Sequence, residues 1–429
     1  MYRGGRGLTA PASSPHHRKH HRPEQSETAR DSPTGPTHDA PRFHFRPLQL
    51  DACAVVGQPA AAIDTPALML DLDAFERNLA QMQQAADKAG VQLRPHAKAH
   101  KCPEIALAQI ARGAAGICCQ KVSEAPPFVQ AGVTDIHISN EIAGAPKAAL
   151  LARLARHARM SVCVDDARQV AALAQAAAQA GSTIGVFVEI DVGQGRCGVA
   201  DAPGALRLVQ SIAAHKQLAF RGLQAYHGGI QHVRDYAARR QAAADAAART
   251  AAIVAELAEA GVACATVTGG GSGSVEFDLK SGVYTEIQPG SYVFMDADYG
   301  RNDYSGALRF EHSLFIATTV MSVAAATQPS PRVVLDAGLK SMAVDSGLPL
   351  VWGANGQDRA LAYVAANDEH GIVEPLPGTS AADLPDLGSQ VLLVPGHCDP
   401  TLNLYDEIVG VRGQSVACLW PVSARGLSR

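Results

Sequence analysis

Residues 93–102 read LRPHAKAHKC and concentrate the side chains that can do chemistry. Lys98 stands between His96 and His100, two residues away on either side. The run 91–96 passes from apolar to polar as a strand does, and 103–111 reads as a helix. The spacing therefore predicts a lysine at the carboxyl end of a β-strand. Such a lysine can lose its proton through desolvation and through repulsion from nearby cations, leaving a nucleophilic amine able to form a Schiff base. A basic loop without chemistry is the alternative for these ten residues taken alone.

Two glycine-rich turns and one metal-like motif add to it. The stretch TGGGSGS at 268–274 offers consecutive backbone N–H groups to an anion, with Thr268 and Ser272 hydroxyls as further donors. VGQGRCG at 192–198 permits a tight turn that could aim Arg196 inward, or leave it facing solvent. In GHCDP at 396–400, His397 and Asp399 project to one side of an extended segment and could share a divalent cation. Asp399 before Pro400 reads equally well as a helix N-cap.

Placing these residues requires a scaffold. Short β-like runs at 93–98, 116–121, 135–140, 161–165, 186–192, 220–227, 265–270 and 286–294 alternate with alanine-rich helical stretches such as 146–157, 167–180, 205–215 and 236–260. Eight strand–helix repeats imply right-handed crossovers and an α/β (β/α)8 TIM barrel, with a doubly wound open sheet as the competing topology. Lys98, Asn140, Asp165, Asp191, His227 and Gly269–Gly271 all close their runs at the carboxyl side, where barrel active sites assemble. After about residue 305, β-rich runs broken by Gly, Pro, Asn and Asp predict a mostly antiparallel β-domain. The expected division is a disordered tail at 1–45, a barrel at 60–305 and a β-domain at 306–429. Asn367–Gly371 (NDEHG) is a candidate to line the site from that second domain, or a solvated turn.

Composition narrows the class. The 37 basic and 41 acidic side chains of this 429-residue chain nearly balance, so no single-signed field recruits nucleic acid or an acidic membrane. No apolar run reaches the ~18–20 residues of a membrane span. Nine cysteines, several in apolar runs, suit a reduced cytoplasmic compartment.

RPHAKAHK, GQGRCG, TGGGSGS and QPGSYVF (288–294) together resemble the fold-type III pyridoxal-phosphate enzymes, alanine-racemase-like barrels with a C-terminal β-domain. RPHAKAHK, QAYHGGIQH (224–232) and GHCDPTLNLYD (396–406) look more closely like the D-threonine aldolase and D-serine dehydratase branch. The resemblance spans about residues 60–427. It implies that Lys98, rather than Lys101, carries the cofactor. It further implies phosphate on Gly269–Gly273 with Thr268 and Ser272, Arg196 at the ring nitrogen, and Tyr226 and Tyr292 among the cofactor contacts. The cation on His397 and Asp399 would be Mn²⁺ or Mg²⁺, with Zn²⁺ possible because Cys398 lies between them.

The reaction implied is retro-aldol cleavage of a small D-3-hydroxy amino acid such as D-threonine to glycine and an aldehyde. A histidine must then move the hydroxyl proton, with His232 the first choice and His227 the second; either could instead be a packing residue. Elimination of water and ammonia from D-serine or D-threo-3-hydroxyaspartate uses the same parts and is the alternative. A non-catalytic cofactor carrier is a further one, and family members are usually homodimers.

Overall fold

The computed structural model describes residues 52–306, 308–324, 328–353, 356–358 and 360–429; the expected tail at 1–45 lies outside them. The first described strand, β1 (Ala67–Asp71), is apolar from Ala67 to Leu70, and its last residue, Asp71, leads straight into the helix Leu72–Ala89. Asp71 caps that helix by accepting from the Asp73 and Ala74 N–H groups, and Gly90 ends it at φ 67°, where a side chain would be strained.

Eight parallel strands follow: β2 (Gln92–Leu93), β3 (Ile117–Cys119), β4 (Asp135–Glu141), β5 (Arg159–Val164), β6 (Ile184–Glu189), β7 (Leu218–Ala225), β8 (Thr266–Gly269) and β9 (Glu286–Ile287). They run β2-β9-β8-β7-β6-β5-β4-β3, and a parallel bridge between His96 and Cys118 joins the two ends into a barrel. The open-sheet alternative is thereby excluded. Apolar side chains such as Ile117, Ile136, Val162 and Val186 are fully buried between barrel and helices. The interior is instead polar. Arg94 reaches Glu286 and Asp135, each at 2.9 Å; Glu286 accepts from Thr268, which accepts from Gln288, and Gln288 meets Gln224.

Several expected strands are shorter than their apolar runs. The run 93–98 stops at Leu93, and Lys98 sits in a 3-10 turn, Ala97–Ala99, rather than at a strand end. Pro95 has no N–H to donate, so the ladder cannot continue through it. The run 286–294 likewise stops at Ile287 before Pro289 and turns at Ser291–Val293.

The second sheet contains β10 (Leu314–Ser322), β11 (Val333–Leu335), β12 (Leu350–Gly353), β13 (Gly356–Gln357), β14 (Leu361–Ala366), β15 (Gly371–Pro375), β16 (Gln390–Val394), β17 (Glu407–Arg412) and β18 (Ser415–Pro421). It is antiparallel except at one place. There β1 enters, antiparallel to β10 and parallel to β17. Residues 67–71, which fall within the expected barrel segment 60–305, pair in this sheet instead. Strand β1 gives no alternation by which to place it, since Ala67–Leu70 are buried on both faces. Among the described residues the chain thus passes from the β-domain sheet into the barrel and back.

Leu70, fully buried between β10 and β17, is expected to lose about 2–5 kcal/mol of stability on truncation to alanine. A lower urea midpoint for both domains together would be the result; an unchanged midpoint would mean β1 is not integral.

Candidate active site

The 3-10 turn Ala97–Ala99 is held by His96, whose Nδ1 accepts from the Lys98 backbone N–H at 3.3 Å. This turns Lys98 into a cavity of about 300 Å³ at the barrel mouth, also lined by His96, Gln120, Ser139, Arg196 and Tyr226. Lys101 turns the other way. It takes a backbone φ of 50° and is buried against Glu124 (2.9 Å) and Asn403 (2.9 Å). Of the two motif lysines, only Lys98 opens onto this cavity.

The charge state of Lys98 differs from the expectation. Burial lowers the affinity of its amine for a proton, but the Asp399 carboxylate, hydrogen-bonded to Nζ, outweighs burial and raises it above the usual lysine value. The flanking histidines supply no repelling cations. Burial drives His96 well below its ordinary range, and Lys98 pushes it further; burial lowers His100 to about 4. His96 Nε2 is instead engaged by Ser139 Oγ (2.9 Å) and Gln120 (3.2 Å).

Opposite Lys98, Gly270, Gly271 and Ser272 form the cavity wall with Gly290 and Ser291. A side chain at Gly271 would meet the Gln231 amide at 2.6 Å and displace it. Gln231 shapes the loop by accepting from the Gly273 N–H at 2.8 Å, and buried Arg239 donates to the Gly273 carbonyl at 3.0 Å. Four expected cofactor contacts stand behind the wall. Thr268 faces the barrel interior, bonded to Glu286 and Gln288. Gly269 packs on the Ala225 carbonyl and Gly273 on Gln231. Tyr292 is buried with its hydroxyl on Gln109, and only its backbone N–H reaches Ser272, at 3.0 Å. A primary amine, a glycine-walled anion cradle and a guanidinium around one cavity fit pyridoxal phosphate.

Arg196 does point inward. Its guanidinium lies 5.4 Å from the Tyr226 ring centre and 3.7 Å from Glu189. Asp191 shapes its loop by accepting from the Gly193 and Gly195 N–H groups at 2.9 and 3.0 Å. Beneath the loop, burial and the neighbouring Glu141 push the Glu189 carboxyl well above the carboxylate range. Glu141, Asp165 and Cys197 bring potential ligand atoms within 4.8 Å of one another, but Asp165 already accepts from Gly198 and Gln169.

Across the mouth lies a second cavity of about 480 Å³ with Lys98, His397, Asp399 and Asp345 on its walls. His397 Nδ1 bonds Asp345 at 2.8 Å, leaving Nε2 as the remaining ligand atom. Asp399 shares one oxygen with Lys98, while Oδ1 is buried with no partner. An unpaired buried carboxylate oxygen beside an imidazole fits a cation. Cys398 is fully buried, and burial holds its thiol well above the usual value, which argues against a thiolate ligand.

The two expected histidines line neither cavity directly. His227 stands against Gly193. His232 bonds Asp298 at 2.5 Å and packs on Tyr299, ring centres 5.6 Å apart, and Tyr299 lines the first cavity. Asn367–Gly371 holds the turn at 338–340 through backbone bonds. Tyr299, Gln120, Ser139 and Asp345 were not singled out from sequence, because each is isolated from any motif along the chain; His96 was read there only as one of the two histidines flanking Lys98.

Comparison with known proteins agrees with this fold. The alanine racemase N-terminal domain family matches residues 70–298, and the putative serine dehydratase domain matches 313–411. A D-threonine aldolase of Arthrobacter sp is 54% identical over 386 residues, covering 90% of this chain and 99% of the relative. A 3-hydroxy-D-aspartate aldolase of Paracoccus denitrificans (strain Pd 1222) is 43% identical, covering 88% and 96%. The crystal structure of D-threonine aldolase from Filomicrobium marinum superposes with a TM-score of 0.84 at 48% identity, covering 89% of this chain and all of that one.

The raised Glu189 carboxyl has a consequence for stability. Its folded form keeps a proton that the unfolded chain releases near 4.5. Its contribution is therefore complete below that value and declines as pH rises toward the folded one. Glu189→Gln should flatten this decline in urea midpoints measured from pH 5 to 8; an unaltered slope would show that Glu189 is ionised in the fold.

Proposed function

This chain belongs to the alanine-racemase-like, fold-type III pyridoxal-phosphate enzymes, and from that premise we propose that it cleaves D-threonine and related D-3-hydroxy amino acids to glycine and an aldehyde. The observation that carries the reading is the meeting of Lys98 with the His397–Asp399 pair across one mouth. The high identity to an aldolase over nearly its whole length supports carbon–carbon cleavage.

When bound, pyridoxal phosphate supplies a conjugated ring that accepts the electron pair of the bond broken at Cα, and a divalent cation supplies positive charge at the hydroxyl oxygen. Lys98 would hold the cofactor through Nζ, Gly270–Ser272 would take its phosphate, and Arg196 and Tyr226 would contact the rest of it. Thr268, Gly269, Gly273 and Tyr292 shape the cradle from behind. His397 Nε2 and Asp399 hold the cation. Mn²⁺ or Mg²⁺ suits a carboxylate–imidazole pair better than Zn²⁺, given the buried Cys398 thiol. His232 takes the β-hydroxyl proton at Nε2, with His227 the second candidate. The carrier reading has nothing to explain the matched second domain.

The enzyme acts as a homodimer, on the strength of the family resemblance, in a reduced cytoplasmic compartment, which its nine free cysteines suit. No helix of the described residues is long and apolar enough to cross a membrane.

Purified protein with pyridoxal phosphate, Mn²⁺ and D-threonine should yield glycine and acetaldehyde, and lose this activity on chelation. Release of 2-oxobutanoate and ammonia instead would establish elimination. His232→Ala should cut cleavage by about 10²-fold or more while the cofactor's visible absorbance persists; full activity would remove His232 from the mechanism.

A further inference from the structure

His232 ends the 3-10 turn Gly228–His232 after β7, and 48% of its side chain is exposed. Its Nδ1 is taken by Asp298, on the short helix Ala297–Gly300, whose carboxylate is 6% exposed. Burial opposes ionisation of Asp298, but hydrogen bonds from His232 and Arg234 outweigh it and hold the carboxyl at about 2. An ionised carboxylate can only accept, so the neutral imidazole carries its hydrogen on Nδ1 and its lone pair on Nε2.

The carboxylate is itself fixed. Arg234 donates to one of its oxygens and to the Asp298 carbonyl (2.6 Å), and is oriented by Asn302 at 2.7 Å. The same short helix is tied to the metal-side loop. The Ala297 and Asp298 N–H groups donate to the carbonyls of Pro395 and Gly396 at 2.9 and 3.2 Å. Its N-cap, Asp296, accepts from the Cys398 N–H at 3.0 Å. One turn of helix therefore sets the position of the histidine relative to His397 and Asp399, which flank Cys398.

We propose that Asp298 is the positioning residue of the cleavage reaction: it selects the His232 tautomer with a free Nε2 and holds that atom in register with the cation-binding loop. This rests on the assignment of His232 as the base. Asp298 acts only through His232 and touches neither cavity.

The test uses the full chain loaded with cofactor and Mn²⁺, comparing Asp298→Asn, Asp298→Glu and His232→Ala. In Asp298→Asn, kcat should fall on the order of 100-fold with little change in KM, because an amide can hold the ring in the wrong tautomer. The acid limb of kcat/KM should move to lower pH. Of the groups facing His232, Arg234 and Tyr299 remain, and loss of the Asp298 anion makes the imidazolium easier to deprotonate. Asp298→Glu should restore the wild-type limb in part, with cofactor absorbance and Mn²⁺ affinity unchanged in both variants. A wild-type kcat and acid limb in Asp298→Asn would overturn the inference. So would parallel loss of cofactor absorbance or Mn²⁺ affinity, which would make Asp298 a mere clamp on the loops. If His232→Ala is impaired and Asp298→Asn is not, the positioning role alone fails; if His232→Ala turns over normally, the base assignment fails with it.

Discussion

The ion pair between Lys98 and Asp399 joins residues 301 positions apart and ties the barrel mouth to the second domain. Lys98 is partly exposed and Asp399 mostly covered; burial disfavours both charges, and the opposite charge of the partner favours both. Each therefore keeps the other ionised, and the two candidate binding cavities share Lys98 on their walls. A site built in this way needs the barrel and the β-domain held in fixed relation.

Two features supply that relation. Strand β1 lies in the β-domain sheet between β10 and β17, and the helix it feeds packs Phe75 and Leu79 into the main core. The helix Ala297–Gly300, at the end of the barrel segment, bonds residues 395–398 through backbone groups and Asp296. The domain join is thus made by strand pairing and capped backbone groups, which are directional, rather than by apolar contact alone.

Much of the architecture was readable because its signals are local. The alanine-rich helix Ala167–Ala180 and the long Tyr236–Glu259 follow their composition almost residue for residue. Strand ends were less legible. Pro95 and Pro289 cut ladders short within runs that look continuously β-like, since a missing N–H matters only where a partner would have accepted it. Strand β1 escaped notice because a strand buried on both faces carries no alternation.

The same distinction applies to the site. Sequence alone determined the chemical inventory: a lysine between histidines, a glycine-rich anion loop, an arginine in a glycine turn and a His-x-Asp pair are contiguous motifs whose chemistry follows from residue type. Only the tertiary structure decided the electrostatics and the partners. The charge on Lys98 is set by Asp399, the neutrality of His96 and His100 by burial, and the tautomer of His232 by Asp298. Protonation depends on what lies within a few ångströms in space, and those neighbours come from distant parts of the chain.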